Sequence, residues 1–307
     1  MATHDHAKDN SAYYVPHNGW YPVFAALGIF LSLVGVGHWL NLLKAGQPPS
    51  HLTLYIGATI LGLVLFFWFS KVIQENHAGI TNAQVKRSFV WSMSWFIFSE
   101  VMFFAAFFGA LLYARNFAVP WLGGEGGKGI TGDYLWPNFS PTWPVVDNPN
   151  PAVFPNPHES MAAPSVKAWV EYLPFWNTVI LLSSSFTVHF AHTAVKNGKR
   201  GALQFWLLVT VLMGVLFLTL QGYEYHHAYT ELGLTLGSGI YGSTFFILTG
   251  FHGFHVTLGA FILLMQLFRA MRGHFKANDM FGLEAASWYW HFVDVVWVCL
   301  FIFVYVL

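Results

Sequence analysis

The sequence predicts an all-α integral membrane protein with seven transmembrane helices. Three observations lead there. Of 307 residues, 55% are hydrophobic and only 9% are charged, whereas a water-soluble domain carries about a quarter charged residues. Apolar residues gather into runs long enough to cross a hydrocarbon core as helices, which takes roughly 20 residues each. Backbone amides in lipid must be satisfied within the segment, so such runs form helices and not open strands.

The runs fall at about 20–43, 52–74, 88–114, 174–196, 203–225, 239–268 and 285–307. In the first, Gly35, Gly37 and His38 dilute the apolar pattern. Trp20, Tyr21, Trp176, Tyr223, Trp288 and Trp290 lie toward span ends, where aromatic residues favour the lipid–water boundary. The break between spans 3 and 4, residues 115–173, holds nine of the fourteen prolines and the stretch GGEGGKG. It is expected to be an extramembrane loop without regular structure. The chain therefore divides into 1–75, a tail with helices 1 and 2, and 76–307, which carries helices 3–7 and this loop.

Lys and Arg set the expected orientation. Lys8, Lys71, Lys86, Arg87, Lys196, Lys199, Arg200, Arg269, Arg272 and Lys276 fall on one side. Only Lys44, Arg115, Lys128 and Lys167 fall on the other. The N-terminus is thus expected inside and the C-terminus outside. The N-terminal 19 residues contain neither a signal peptide nor an Arg-rich transit segment. A formal net charge of zero gives no electrostatic basis for nucleic-acid binding, and one cysteine, Cys299, excludes an internal disulfide.

Ionisable residues inside spans are costly, by about 2.5–3.5 kcal/mol on insertion scales, and each needs a reason. Glu100 stands alone in FIFSEVMFFAAFF, residues 96–108. It is either a proton-relay or lipid-contact carboxylate, or a group hydrogen-bonded to a neighbouring helix. His189 with His192, and His252 with His255, are three apart and share helix faces, as haem ligands could. The adjoining Gly250, Gly253 and Gly259 favour the other reading, histidines bridging closely packed helices. In WYWHFVDVVW, His291 and Asp294 lie one turn apart and can hydrogen-bond each other. Glu224, His226 and His227 are expected at the water interface, with a metal site as the lesser alternative. No complete catalytic set and no HExxH zinc motif is visible.

GSGIYGSTFFILTGFHGFHVTLGAF and FGLEAASWYWHFVDVVWVCLFIFVYV resemble the cytochrome c oxidase subunit III family, and FIFSEVMFFAAFF and LPFWNTVILLSSSFTVHFAH fit it as well. The resemblance implies that helices 1–2 are splayed from a five-helix bundle, 3–7, leaving a V-shaped cleft that holds structural phospholipids. By motif, Glu100 faces that cleft, and Trp68, His77 and Arg269 match lipid-contacting positions. Phe103, Phe104, Phe107 and Phe108 are apolar enough to favour acyl chains and oxygen over ions. Ser70-Lys71 stands where the family has an Arg-Asp pair, and Asp279-Met280 where it has paired histidines, so head-group contacts are not carried over there. Loop 115–173 is longer than in compact mitochondrial members, which points to a bacterial protein.

The implied role is that of a non-redox accessory subunit of a proton-pumping oxidase in the bacterial plasma membrane. Subunits I and II are the implied partners, carrying the haems and coppers, with cytochrome c as electron donor. No cofactor is expected on this chain. Its implied tasks are to stabilise the catalytic subunit, sustain proton uptake and admit oxygen. His252, His255, His291 and Asp294 are then structural. Subunit III of a quinol oxidase, an autonomous membrane haem protein and a proton-coupled transporter are the alternatives; the quinol-oxidase chains are usually shorter, with five spans.

Overall fold

The computed structural model describes residues 19–80, 82–275 and 280–307. Lys8, Lys276 and Asp279 lie outside the described residues. Among the described residues there are helices, turns and loops but no strands. Seven helices are long and apolar enough to span a membrane, and their order is α1 (Tyr21–Lys44), α2 (Leu52–His77), α3 (Ala83–Tyr113), α4 (Leu173–Lys196), α5 (Arg200–Thr230), α6 (Gly239–Met271) and α7 (Phe281–Leu300).

The chain divides into two compact units at Ser92/Met93, within α3. In the first, α1 and α2 pack against each other through glycines. Gly28, Gly35 and Gly57 are the residues these two helices bury. A Cβ on Gly28 would sit 2.9 Å from the Leu61 backbone nitrogen, and one on Gly35 or Gly57 would run into Leu54 or Ser32. The backbones therefore approach as closely as small-residue interfaces in membranes allow. The glycine that weakens the apolar pattern of span 1 is thus a contact surface.

The second unit contains the large core. α7 is its centre: Tyr289, Trp290, Val293, Trp297 and Leu300 are completely buried. Trp290 donates its indole N–H to Ser184 Oγ (2.8 Å), and Trp297 donates to Thr178 Oγ1 (2.9 Å). Gly214 and Gly259 leave room for the Trp290 ring. α4 and α5 are joined by a tight turn at 197–199, where Gly198 adopts φ +67°. There the Lys199 and Gly198 amides donate to the Ala194 and Val195 carbonyls, a Schellman closure that needs the left-handed glycine.

One expectation needs correction. Span 3 does not end near 114: helix continues to Leu122 through a five-residue π turn, Ala114–Ala118, followed by Val119–Leu122. The wide turn lies just ahead of Pro120, whose ring would clash with the carbonyl four residues back in a regular α-helix. The proline-rich loop has mostly irregular backbone, as expected, and is held by specific contacts. Val145 and Met161 are buried, the His158 amide donates to Leu232 O (2.7 Å) and the Ala163 amide to Tyr305 O (2.6 Å). Met161 N–H donates to the Tyr241 hydroxyl (2.9 Å), and the Tyr172 hydroxyl donates to Met161 O (2.6 Å). The segment is a lid over the ends of α5, α6 and α7. Burial pushes the Tyr172 phenol above its ordinary pKa, which keeps that donor protonated.

Candidate functional site

Glu100, the isolated carboxylate of α3, has a partner 155 positions away: its Oε2 lies 2.8 Å from His255 Nε2 on α6. The other ring nitrogen, Nδ1, is 2.6 Å from the Phe251 carbonyl. A carbonyl only accepts, so Nδ1 carries a hydrogen. Nε2 then either accepts from a carboxylic acid or, in an imidazolium, donates to a carboxylate. In both cases the pair holds one shared proton and is neutral overall, which is how two ionisable groups are tolerated in a span.

The setting of the pair is aromatic. His255 has its ring centroid 4.9 Å from Phe104, 5.9 Å from Phe103 and 5.8 Å from Phe254. Phe103 and Phe107 pack on Phe251 at 5.1 and 5.3 Å. The Glu100 side chain remains 22% exposed, against 8% for His255. The site can hold a proton and one further hydrogen bond on its open side.

The remaining ionisable groups sort into other places. His252, three residues before His255, is fully buried between Phe217 and Trp297, with Nε2 3.2 Å from the Val293 carbonyl of α7. The two histidines thus reach different helices, α7 and α3, as helix bridges. His192 Nε2 lies 3.3 Å from Glu284. Among the described residues no three His, Cys, Asp or Glu side chains form a metal-binding group.

His291 and Asp294 face each other as the one-turn spacing suggests, with Nδ1 3.6 Å from Oδ2. Ser185 of α4 bridges them, its hydroxyl donating to Asp294 Oδ2 (2.7 Å) and lying 2.7 Å from His291 Nδ1. Glu224 departs from expectation. It is buried, not interfacial, and accepts a hydrogen bond from the Tyr305 hydroxyl (2.6 Å). His227 instead pairs with Glu231 at 3.1 Å. Glu224 lies in the stripe that α5 turns inward, whereas the apparent water interface is covered by the lid.

In the first unit Trp68 stacks on Tyr21 (5.9 Å), and Lys71 lies 5.8 Å over the same Tyr21 ring. His77 closes α2. In the second, Arg269 donates to Gln266 Oε1 (3.0 Å), lies 4.9 Å over Phe275 and faces Gly282, where any side chain would collide with the guanidinium. Sequence reasoning missed Ser185, Asn177, Gln221 and Tyr305. Small or neutral polar residues in a span give no local signal until a partner is known.

Comparison with known proteins gives a consistent answer. The family model for cytochrome c oxidase subunit III matches residues 11–125 and 166–307, so it covers α1–α7 and leaves out most of the lid. "Cytochrome c oxidase subunit 3" of Loxodonta africana is 36% identical over 296 residues, and that of Raphicerus melanotis is 35% identical over 295 residues. The protein of the same name from Oryctolagus cuniculus is also 35% identical over 295 residues. Each alignment covers 96% of both chains. The chain belongs to the cytochrome c oxidase subunit III family.

Proposed function

We propose that this chain is the non-redox accessory subunit of a proton-pumping cytochrome c oxidase in a bacterial plasma membrane. Its partners are subunit I, as the main contact, and subunit II, which carry the haems and coppers and receive electrons from cytochrome c. Its tasks are to stabilise subunit I, hold structural phospholipids, sustain proton uptake and admit oxygen. The N-terminus is cytoplasmic and the C-terminus periplasmic, following the excess of Lys and Arg in the connections 2–3, 4–5 and 6–7.

The observation that carries this reading is the Glu100–His255 pair with its phenylalanine surround. A neutral, one-proton pair with a partly open carboxylate offers a hydrogen bond to a lipid while Phe103 and Phe107 accept acyl chain. Trp68 and Arg269 offer an amphipathic ring and a cation of the kinds that meet lipid head groups. His77, the last residue of α2, offers an imidazole for the same purpose.

The test combines two measurements on the complex purified from its native membrane. Haem is quantified before and after the subunits are separated, and is expected to leave with the larger partners. Stoichiometric haem remaining on this chain overturns the reading and makes His189, His192, His252 and His255 the ligands to replace. Next, Glu100→Gln is followed through sustained turnover. Activity is expected to decay over fewer turnovers than in the wild type, with less phospholipid recovered. Equal durability and equal lipid content refute the role given to Glu100.

A further inference from the structure

The buried polar residues that the proposed role leaves unused gather at the lid end of the second unit. Asn177 of α4 is fully buried, and neither its amide nitrogen nor its amide oxygen has a partner. Gln221 of α5 is 5% exposed with both amide atoms unpartnered. Glu224, one turn further on, uses Oε1 for Tyr305, while Oε2 has no partner. A buried polar group left unsatisfied costs about 1–3 kcal/mol, and water cannot reach these from the bilayer. Five such atoms toward one end of the bundle call for a ligand.

Helix register brings them together. α4 and α5 are antiparallel neighbours, pinned where Thr187 and Thr210 hydroxyls meet at 2.7 Å. Asn177 lies ten residues from Thr187 toward the lid, and Gln221 lies eleven residues from Thr210 in the same direction. At about 1.5 Å rise per residue, the two amides stand at one level. Both belong to the inward stripes of their helices: Pro174, Asn177, Leu181 and Ser184 on α4, and Gly214, Phe217, Gln221 and Glu224 on α5. Helical side chains lean toward the N-terminus, so the Glu224 carboxyl is directed back toward Gln221. Trp297 bounds the group from beneath, touching Thr178 and Phe217. The lid closes it from above, through Tyr172 against Tyr305 (6.3 Å) and the Ala163 amide on the Tyr305 carbonyl.

We propose that Asn177, Gln221 and Glu224 hold a small cluster of ordered water inside the α4–α5–α7 core, sealed by the proline-rich lid. Water suits this donor set. The two amides supply donors and acceptors in equal measure and the carboxyl oxygen adds an acceptor, matching the two to four hydrogen bonds that each buried water makes. A dry amide–amide contact would leave Glu224 Oε2 alone. The cluster gives Glu224 a hydrated proton partner in the half of the bundle under the lid, remote in sequence from Glu100. It does not depend on the role proposed above, and the two fail separately.

The test is hydroxyl-radical footprinting by X-ray radiolysis of the purified complex, in which bound water generates radicals beside buried side chains. Tyr305 is 1% exposed and Trp290, whose indole is satisfied by Ser184, is 0% exposed. Although tryptophan is at least as reactive, Tyr305 is expected to be modified roughly threefold or more faster, because only its site holds water. In Asn177→Leu/Gln221→Leu the Tyr305 rate is expected to fall to that of Trp290. If the double variant does not assemble, the wild-type comparison alone decides. Equal, low modification of Tyr305 and Trp290 in the wild type overturns the proposal in favour of a dry contact. A Tyr305 rate that changes on replacing sodium and potassium by N-methylglucamine overturns it in favour of a bound cation.

Discussion

The α1–α2 hairpin and the α4–α7 bundle look alike to a hydropathy window, yet they are built on opposite principles. The hairpin buries only glycines, and its large residues point outward: Phe24, Phe30, Phe66, Phe67 and Phe69 are all exposed. The bundle buries its largest side chains, Trp290, Trp297, Tyr241, Tyr289 and Tyr305, and ties all of these but Tyr289 with hydrogen bonds. In lipid, apolarity gives a residue no preference between a protein neighbour and an acyl chain. Close backbone contact in the first case, and shape plus polar pairing in the second, therefore decide which helices stay together.

Amide hydrogen exchange, read helix by helix in detergent, separates the two modes. The largest effect is expected for Trp290→Ala. Removing a fully buried tryptophan costs about 3–5 kcal/mol, and here it also leaves a void against Gly214 and Gly259. Amides of α4–α7 that exchange only on bundle opening should speed up on the order of 100-fold or more, while α1–α2 amides keep their rates. Equal acceleration in both regions would show that the hairpin borrows its stability from the bundle.

A smaller effect, confined to the other region, is expected for Gly57→Ala. The new methyl meets the Ser32 backbone and hydroxyl at less than contact distance, so α1 and α2 must separate. Overpacking of this kind costs about 1–3 kcal/mol. Exchange in α1 and α2 should rise about tenfold, with the bundle unaffected. Unchanged α1–α2 exchange would mean that the hairpin is not held by its glycines.

Much of this architecture was legible in the sequence, and the rest was not for identifiable reasons. All seven spans were, because hydrocarbon thickness imposes a minimum length on each. Helix ends were not: α3 runs on to Leu122 past Arg115 and Pro120, since a π turn accommodates what the sequence reads as a stop. The isolation of Glu100 was visible, but His255 as its partner was not, because the two are 155 residues apart and nothing local links them. His291 and Asp294 were legible as neighbours at helical spacing, whereas Ser185, 109 residues from Asp294, was not. The irregular course of the lid was legible but its anchoring was not, because that comes from backbone hydrogen bonds to Leu232 and Tyr305, just past α5 and α7, which leave no periodicity in its own residues.

The smallest expected effect is also the sharpest control on the comparison. Gly62 lies five residues after Gly57 on α2, yet a Cβ there meets nothing within 4 Å. Hydropathy and composition do not distinguish the two positions; only the side of the helix does. Gly62→Ala should therefore escape the steric cost and gain the helix propensity of alanine, about 0.5–1 kcal/mol. Exchange in α2 should slow by no more than about fivefold, opposite in sign to Gly57→Ala. If Gly62→Ala instead accelerates exchange in α2 as Gly57→Ala does, glycine is needed along this helix for flexibility, and the close contact with α1 is not what selects it.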